Sequence, residues 1–272
     1  LLLPLLFWPG SLLMVPALTR LWGQRRRLAF RVLLAWAVPT WILFELIPTK
    51  LPHYVLPAFP ALALMTGALI AEGMETFGHK AAKVWYALWC LIGLALAAAA
   101  AVLPMHFGAG LSVTAAVAAG GIVLATLLPA ALALRGAIAA AALALALTAA
   151  ATYPPLLEGV LPHLDRLFLS RSAAAMVDSI GSDGPVAAAG YAEPSLVFLL
   201  GTATRLTDGA GAADHLAANP RALAVVEERQ RPAFDARASA LGLTVEEFGR
   251  ASGLNYSRGK PATLVVLGAK VP

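Results

Sequence analysis

Six apolar stretches follow one another through the first 153 residues, at 1–19, 32–47, 55–71, 84–103, 111–134 and 137–153. Crossing the hydrocarbon core of a bilayer takes roughly 20 apolar residues in a helix, and backbone polar groups inside lipid have to be satisfied within the segment. The pattern therefore predicts a polytopic α-helical membrane domain of about six spans. Composition agrees, since 60% of the residues are hydrophobic and only 13% charged, about half the charged share of an ordinary soluble domain. The second and third stretches are short, which fits a polar loop between them that dips toward the membrane. The sixth is nearly all Ala and Leu, and small residues let helices approach closely.

Charge fixes the expected orientation. Residues 1–153 hold nine Lys/Arg against three Asp/Glu, while 154–272 hold eleven against twelve, so the formal net charge of +5 resides in the apolar part. Basic residues concentrated in short loops follow the rule for membrane orientation rather than the needs of a phosphate backbone, which speaks against a nucleic-acid partner. Placing Arg20, Arg25, Arg26, Arg27, Arg31, Lys80, Lys83 and Arg135 in the cytoplasm leaves Lys50 on the opposite side. The loop at 48–60 and the tail from Pro154 onward then share one extracytoplasmic compartment. Leu1 lies inside an apolar run, which predicts that the chain is the C-terminal piece of a longer protein. The single cysteine, Cys90, excludes an internal disulfide and offers no metal-ligand spacing.

From Pro154 the composition turns mixed, as in a soluble domain of about 100 residues. Helices are expected at 161–180, 194–200, 212–218 and 232–241. Strands are expected at 185–189, 204–207, 222–226, 244–250 and 262–267. Alternating elements of this kind predict a small soluble α/β domain over 154–272, periplasmic on the orientation above.

The candidate chemistry gathers at 47–60, where Pro48, Pro52, Pro57 and Pro60 each fix φ and remove a donor. A shaped loop is expected. It carries Lys50, His53 and Tyr54 beside the N-terminus of the third span, whose unpaired N–H groups and dipole favour an anion. Two readings stay open on these residues alone: a receptor for a lipid-linked phosphate, or ordinary interfacial belt residues. Glu45, one turn inside the second span, is either a cavity-facing carboxylate paired with Lys50 or a solvated interfacial acid. His79 reads as solvated and His106 as part of a short outer loop. Residues 181–185 read as a tight turn before a strand, Glu193 as an exposed or capping acid, and Arg229, Arg231 and Arg237 as a solvated face.

The run Lys50-Leu51-Pro52-His53-Tyr54-Val55-Leu56-Pro57-Ala58-Phe59-Pro60-Ala61-Leu62-Ala63-Leu64 resembles the late extracytoplasmic loop and following span of bacterial GT-C glycosyltransferases of the protein-mannosyltransferase and lipid A aminoarabinose-transferase type. Gly190-Tyr191-Ala192-Glu193-Pro194-Ser195-Leu196-Val197-Phe198 and Gly253-Leu254-Asn255-Tyr256-Ser257-Arg258-Gly259-Lys260 are similar to segments of the C-terminal periplasmic domain in those enzymes. The resemblance implies a multi-pass inner-membrane enzyme that moves a sugar from a polyprenyl-phosphate donor to a lipid, glycan or protein acceptor. It implies donor-phosphate contacts for Lys50, His53 and Tyr54, with Glu45 in support. His53 departs from the small or hydroxyl residue common there in aminoarabinose transferases, which counts against that particular sugar. The family's catalytic acids lie in an early extracytoplasmic loop that has no counterpart in this sequence, so no catalytic residue is assigned. No cofactor is implied with certainty, and a divalent metal stays open. Two other classes fit the same residues: a transporter or lipid flippase built on a Pro-broken span, and a membrane-anchored binding module.

Overall fold

The computed structural model describes residues 7–47, 52–72, 78–108 and 110–270. The chain divides into two compact units, one formed by 1–102 with 111–161 and the other by 103–110 with 162–272.

The first unit is helical. Among the described residues, five helical segments are long and apolar enough to cross a membrane: Leu28–Leu46, Tyr54–Ala71, Lys80–Phe107, Val113–Leu134 and Ile138–His163. Its helices are α1 (Ser11–Gln24), α2 (Leu28–Leu46), α3 (Phe59–Ala71), α4 (Lys80–Phe107), α5 (Val113–Leu134) and α6 (Ile138–Pro154). The expected first span falls partly on residues 1–6, outside the described residues; residues 7–10 are turn, and α1 covers 11–19.

Small side chains and satisfied hydroxyls hold this bundle. A Cβ on Gly93 of α4 would fall on Oγ1 and Cγ2 of Thr126 in α5, so those two backbones pass at a distance only glycine permits. Thr126, Thr148 and Thr152 are buried. Each donates its hydroxyl to the carbonyl four residues earlier at 2.6 Å, so none of these three hydroxyl hydrogens is stranded among apolar neighbours. The start of α1 is clamped by indoles: Trp85 Nε1 donates to the Ser11 carbonyl at 3.0 Å and Trp89 Nε1 to Ser11 Oγ at 3.2 Å. Tyr153 OH reaches the Trp8 carbonyl at 2.7 Å. Many large apolar side chains, among them Val84, Leu91, Leu143 and Leu147, remain exposed along the helices, as they do where a helix face meets lipid. Arg27 pairs with Glu72, which brings the start of α2 and the end of α3 to one end of the bundle.

The second unit contains a five-stranded sheet: β1 (Val186–Ala189), β2 (Arg205–Thr207), β3 (Leu223–Glu227), β4 (Val245–Asn255) and β5 (Lys260–Ala269), in spatial order β2-β1-β3-β5-β4. The β1–β2 and β1–β3 pairs are parallel, and β5 runs antiparallel to both β3 and β4. The helices are α7 (Leu169–Ile180), α8 (Pro194–Leu200), α9 (Gly209–Ala218) and α10 (Arg231–Ala240). Successive strand residues point to opposite faces. Ala188, Val225 and Val266 accordingly pack with Leu169, Ala173 and Leu196, while Ala189, Val226 and Val265 pack with Ala213, Leu216 and Phe234. Both sheet faces are covered, as the uninterrupted apolar run of β3 requires.

Two expectations need correction. The helix expected at 161–180 begins only at Leu169, because Leu161–His163 and Asp165–Leu167 are separate 3-10 turns and Pro162 has no N–H to donate to a continuous ladder. His106 lies in the last turn of α4 rather than in a loop. Pro104, inside that helix, has no N–H to donate to the preceding turn, while its carbonyl accepts from both Gly108 N and Gly110 N at 3.0 Å.

Candidate functional site

Two places hold the residues singled out from the sequence, one in each unit. In the helical unit, Pro52–Ala58 forms a 3-10 helix that runs directly into α3. Prolines set φ for such a turn, and Pro60 sits in the first turn of α3, where its missing N–H costs nothing. His53 is in this 3-10 helix. The ring of Tyr54 stacks on Phe44 in the last turn of α2, with centroids 5.0 Å apart and an interplanar angle of 28°. That stack joins the end of α2 to the start of the next apolar segment, while Glu45, the next residue after Phe44, is exposed. Lys50 lies outside the described residues.

In the α/β unit, the two segments Gly190–Phe198 and Gly253–Lys260 converge on one cavity. Topology explains the meeting. β4 is antiparallel to β5, which is antiparallel to β3, so β4 runs in the direction of β1 and β3. The chain after Ala189 and the chain at Asn255 therefore emerge at the same carboxyl edge of the sheet, the edge at which α/β proteins place ligands. Gly190 makes the exit turn at φ +81°, and a Cβ there would stand 2.6 Å from Gln230 Cγ.

The cavity measures about 180 Å³. Tyr191, only 6% exposed, and buried Ser170 form part of its lining. Ser170 Oγ lies 2.8 Å from Ser195 Oγ, and Ser170 also interacts with the Tyr191 phenol. Glu193 accepts a 2.9 Å hydrogen bond from Nδ2 of buried Asn255, and Arg258 Nε stands 3.9 Å from the same carboxylate oxygen. Burial pushes the Tyr191 phenol above its ordinary value; nearby Glu193, Tyr256 and Glu227 act in the same direction, and the bond with Ser170 opposes them. The rim is aromatic: Phe198 is 85% exposed, and Tyr256, 62% exposed, meets Phe168 edge to face at 6.5 Å. The Arg171 guanidinium lies over Phe168 at 5.3 Å and donates to the Pro162 carbonyl at 2.7 Å.

Glu193 thus occupies the N-cap position of α8 without a side-chain cap bond, and its carboxylate is instead bound across to Asn255. Tyr191, Ser170 and Asn255 had no assigned role in the sequence reading. The available signal was a Gly-Tyr pair immediately after a buried strand, at the edge where such sheets bind ligands.

The remaining candidates are structural. Residues 181–185 make the expected turn, with Ser182 Oγ donating to the Arg221 carbonyl and accepting from Gly184 N. Arg229, Arg231 and Arg237 are paired with Glu227, with Asp235 and Glu247, and with Asp214. His79 is exposed at the start of α4 and shares a cavity lining with Arg20 and Lys80. Among the described residues no three metal-ligating side chains converge. No protein-family model, curated protein or solved structure matches the chain.

Proposed function

We propose that this chain is the C-terminal region of a GT-C glycosyltransferase of the bacterial inner membrane, acting at the periplasmic face on a sugar carried by polyprenyl phosphate. The observation that carries the reading is the proline-shaped 3-10 helix at Pro52–Ala58, which opens an apolar segment and holds Tyr54 against Phe44. A helix start of this kind favours an anion, and Tyr54, His53 and Lys50 supply a hydroxyl, an imidazole and an ammonium on the same short segment. Membrane-spanning helices with their basic loops in the cytoplasm and the α/β domain in the periplasm complete the proposed arrangement.

In the proposed reaction a carboxylate outside this chain orients or deprotonates the acceptor hydroxyl while the lipid phosphate leaves. Negative charge grows on that phosphate. Lys50 and the helix start stabilise it as it departs, an interaction stronger in the transition state than in the ground state. A divalent metal stays open as an additional stabiliser of the leaving group.

The test is transfer from a radiolabelled polyprenyl-phosphate sugar by the intact membrane protein containing this region. Lys50→Ala is expected to lower turnover by about 10² or more, the scale of losing one preorganised charge stabiliser, with membrane insertion unchanged. Full transfer activity in that variant would refute the assignment.

A further inference from the structure

We infer that the cavity at the carboxyl edge of the α/β sheet is a binding site for one neutral saccharide ring. It is separate from the proposed donor-phosphate site and stands without the transferase reading.

A sugar ring presents apolar C–H faces and a rim of hydroxyls that both donate and accept. The cavity offers the complementary surfaces side by side. Its rings, Phe198 and Tyr256, are mostly exposed. A phenylalanine 85% open to solvent at a cavity mouth retains its full apolar face for a ligand. The polar lining includes the Tyr191, Ser170, Ser195 and Ser257 hydroxyls, which can reverse donor and acceptor roles, the Glu193 carboxylate, which only accepts, and the Arg171 guanidinium, which only donates. Asn255, itself buried, holds that carboxylate from behind through Nδ2, so the acceptor is fixed before a ligand arrives.

Charge selects the class. A carboxylate in the lining disfavours a phosphate or a uronate, while hydroxyl-to-carboxylate hydrogen bonds are among the stronger neutral-ligand contacts. The cations nearby already have partners: Arg171, part of the lining, lies over Phe168 and donates to the Pro162 carbonyl, and Arg258 is ion-paired with Glu193 at 3.9 Å. Size agrees, since about 180 Å³ is smaller than the cavities that enclose drug-sized ligands and suits a single ring.

The experiment is saturation-transfer difference NMR on the full chain in lipid nanodiscs, free of sugar detergents and with no lipid-linked donor present. The probes are methyl α-mannopyranoside, methyl β-glucopyranoside and methyl β-galactopyranoside. At least one is expected to receive saturation at its ring protons. Phe198→Ala and Glu193→Gln are each expected to weaken that binding about tenfold or more, and inorganic phosphate is expected not to displace it. Phe198 makes so little packing contact that its removal leaves the fold intact, and Gln keeps the volume of Glu193. The inference is overturned if none of the three glycosides binds, if either variant binds as tightly as wild type, or if phosphate competes. Because no donor is present, loss of transferase activity and loss of sugar binding are read independently.

Discussion

At the scale of single residues, glycine marks where this chain tolerates no side chain, and Gly93 is the sharpest case. Thr126 stands where a Gly93 Cβ would go, and its own hydroxyl is committed to the Ile122 carbonyl. Gly93→Ala should therefore destabilise by overpacking, on the order of 1–3 kcal/mol, despite alanine's better helix propensity. Combining it with Thr126→Ala removes the two atoms closest to the new methyl group, so the double variant should melt above Gly93→Ala alone. Thermal unfolding in detergent measures both; additive losses would mean the two sites are uncoupled. The sequence advertised small residues along these helices as a class, but which glycine meets which threonine depends on helix rotation. Composition carries no such information.

Among elements, the strands of the α/β unit were legible because alternation and turn residues are local. β1, β2 and β3 appear within a residue or two of the expected positions, whereas β4 and β5 extend further toward their shared turn. The cavity was not legible, since Glu193 and Asn255 are 62 positions apart and meet only through the strand order. Ion pairing ties β4 to α10: Glu247 accepts from Arg250 on its own strand and from Arg231 at the start of α10. Hydrogen bonds from Arg250, then Arg231, hold its carboxyl below the ordinary value of 4.5. A depressed carboxylate contributes stability above its unfolded value and loses it as pH falls through the folded one. Wild type should thus unfold at a higher temperature than Glu247→Gln at pH 6, and the gap should close on acidification below about pH 4. A gap that persists in acid would exclude the ion pairs as its source. Tyr191 runs the other way: with its phenol raised by burial, the stability it contributes is complete below the ordinary value of 10.0 and is lost as pH rises through the raised value. An alkaline absorbance titration should show late-ionising tyrosine, and Tyr191→Phe should lower the amplitude of that component.

For the molecule as a whole, charge makes a testable prediction of which end of the helical unit faces which compartment. Eight basic residues, Arg20, Arg25, Arg26, Arg27, Arg31, Lys80, Lys83 and Arg135, flank the ends of apolar segments in a way that puts all of them on one side. The Arg27–Glu72 pair agrees, since it joins the start of α2 to the end of α3, two ends that the same count assigns together. If the basic side is cytoplasmic, the last apolar segment exits outward and carries the α/β domain with it. Single-cysteine labelling tests this in a Cys90→Ala background, because Cys90 is the chain's one cysteine. Ser239→Cys, exposed on α10, should react with a membrane-impermeant maleimide in intact spheroplasts. His79→Cys, exposed at the start of α4, should react only after permeabilisation. The reverse pattern would put the saccharide cavity and the proposed phosphate site in the cytoplasm. Labelling of both positions from outside would break the odd number of crossings that separates them. Reaction of Ser239→Cys alone would instead place the α/β domain and the Pro52–Ala58 turn in the compartment where a polyprenyl-linked sugar is presented, as the proposed function requires.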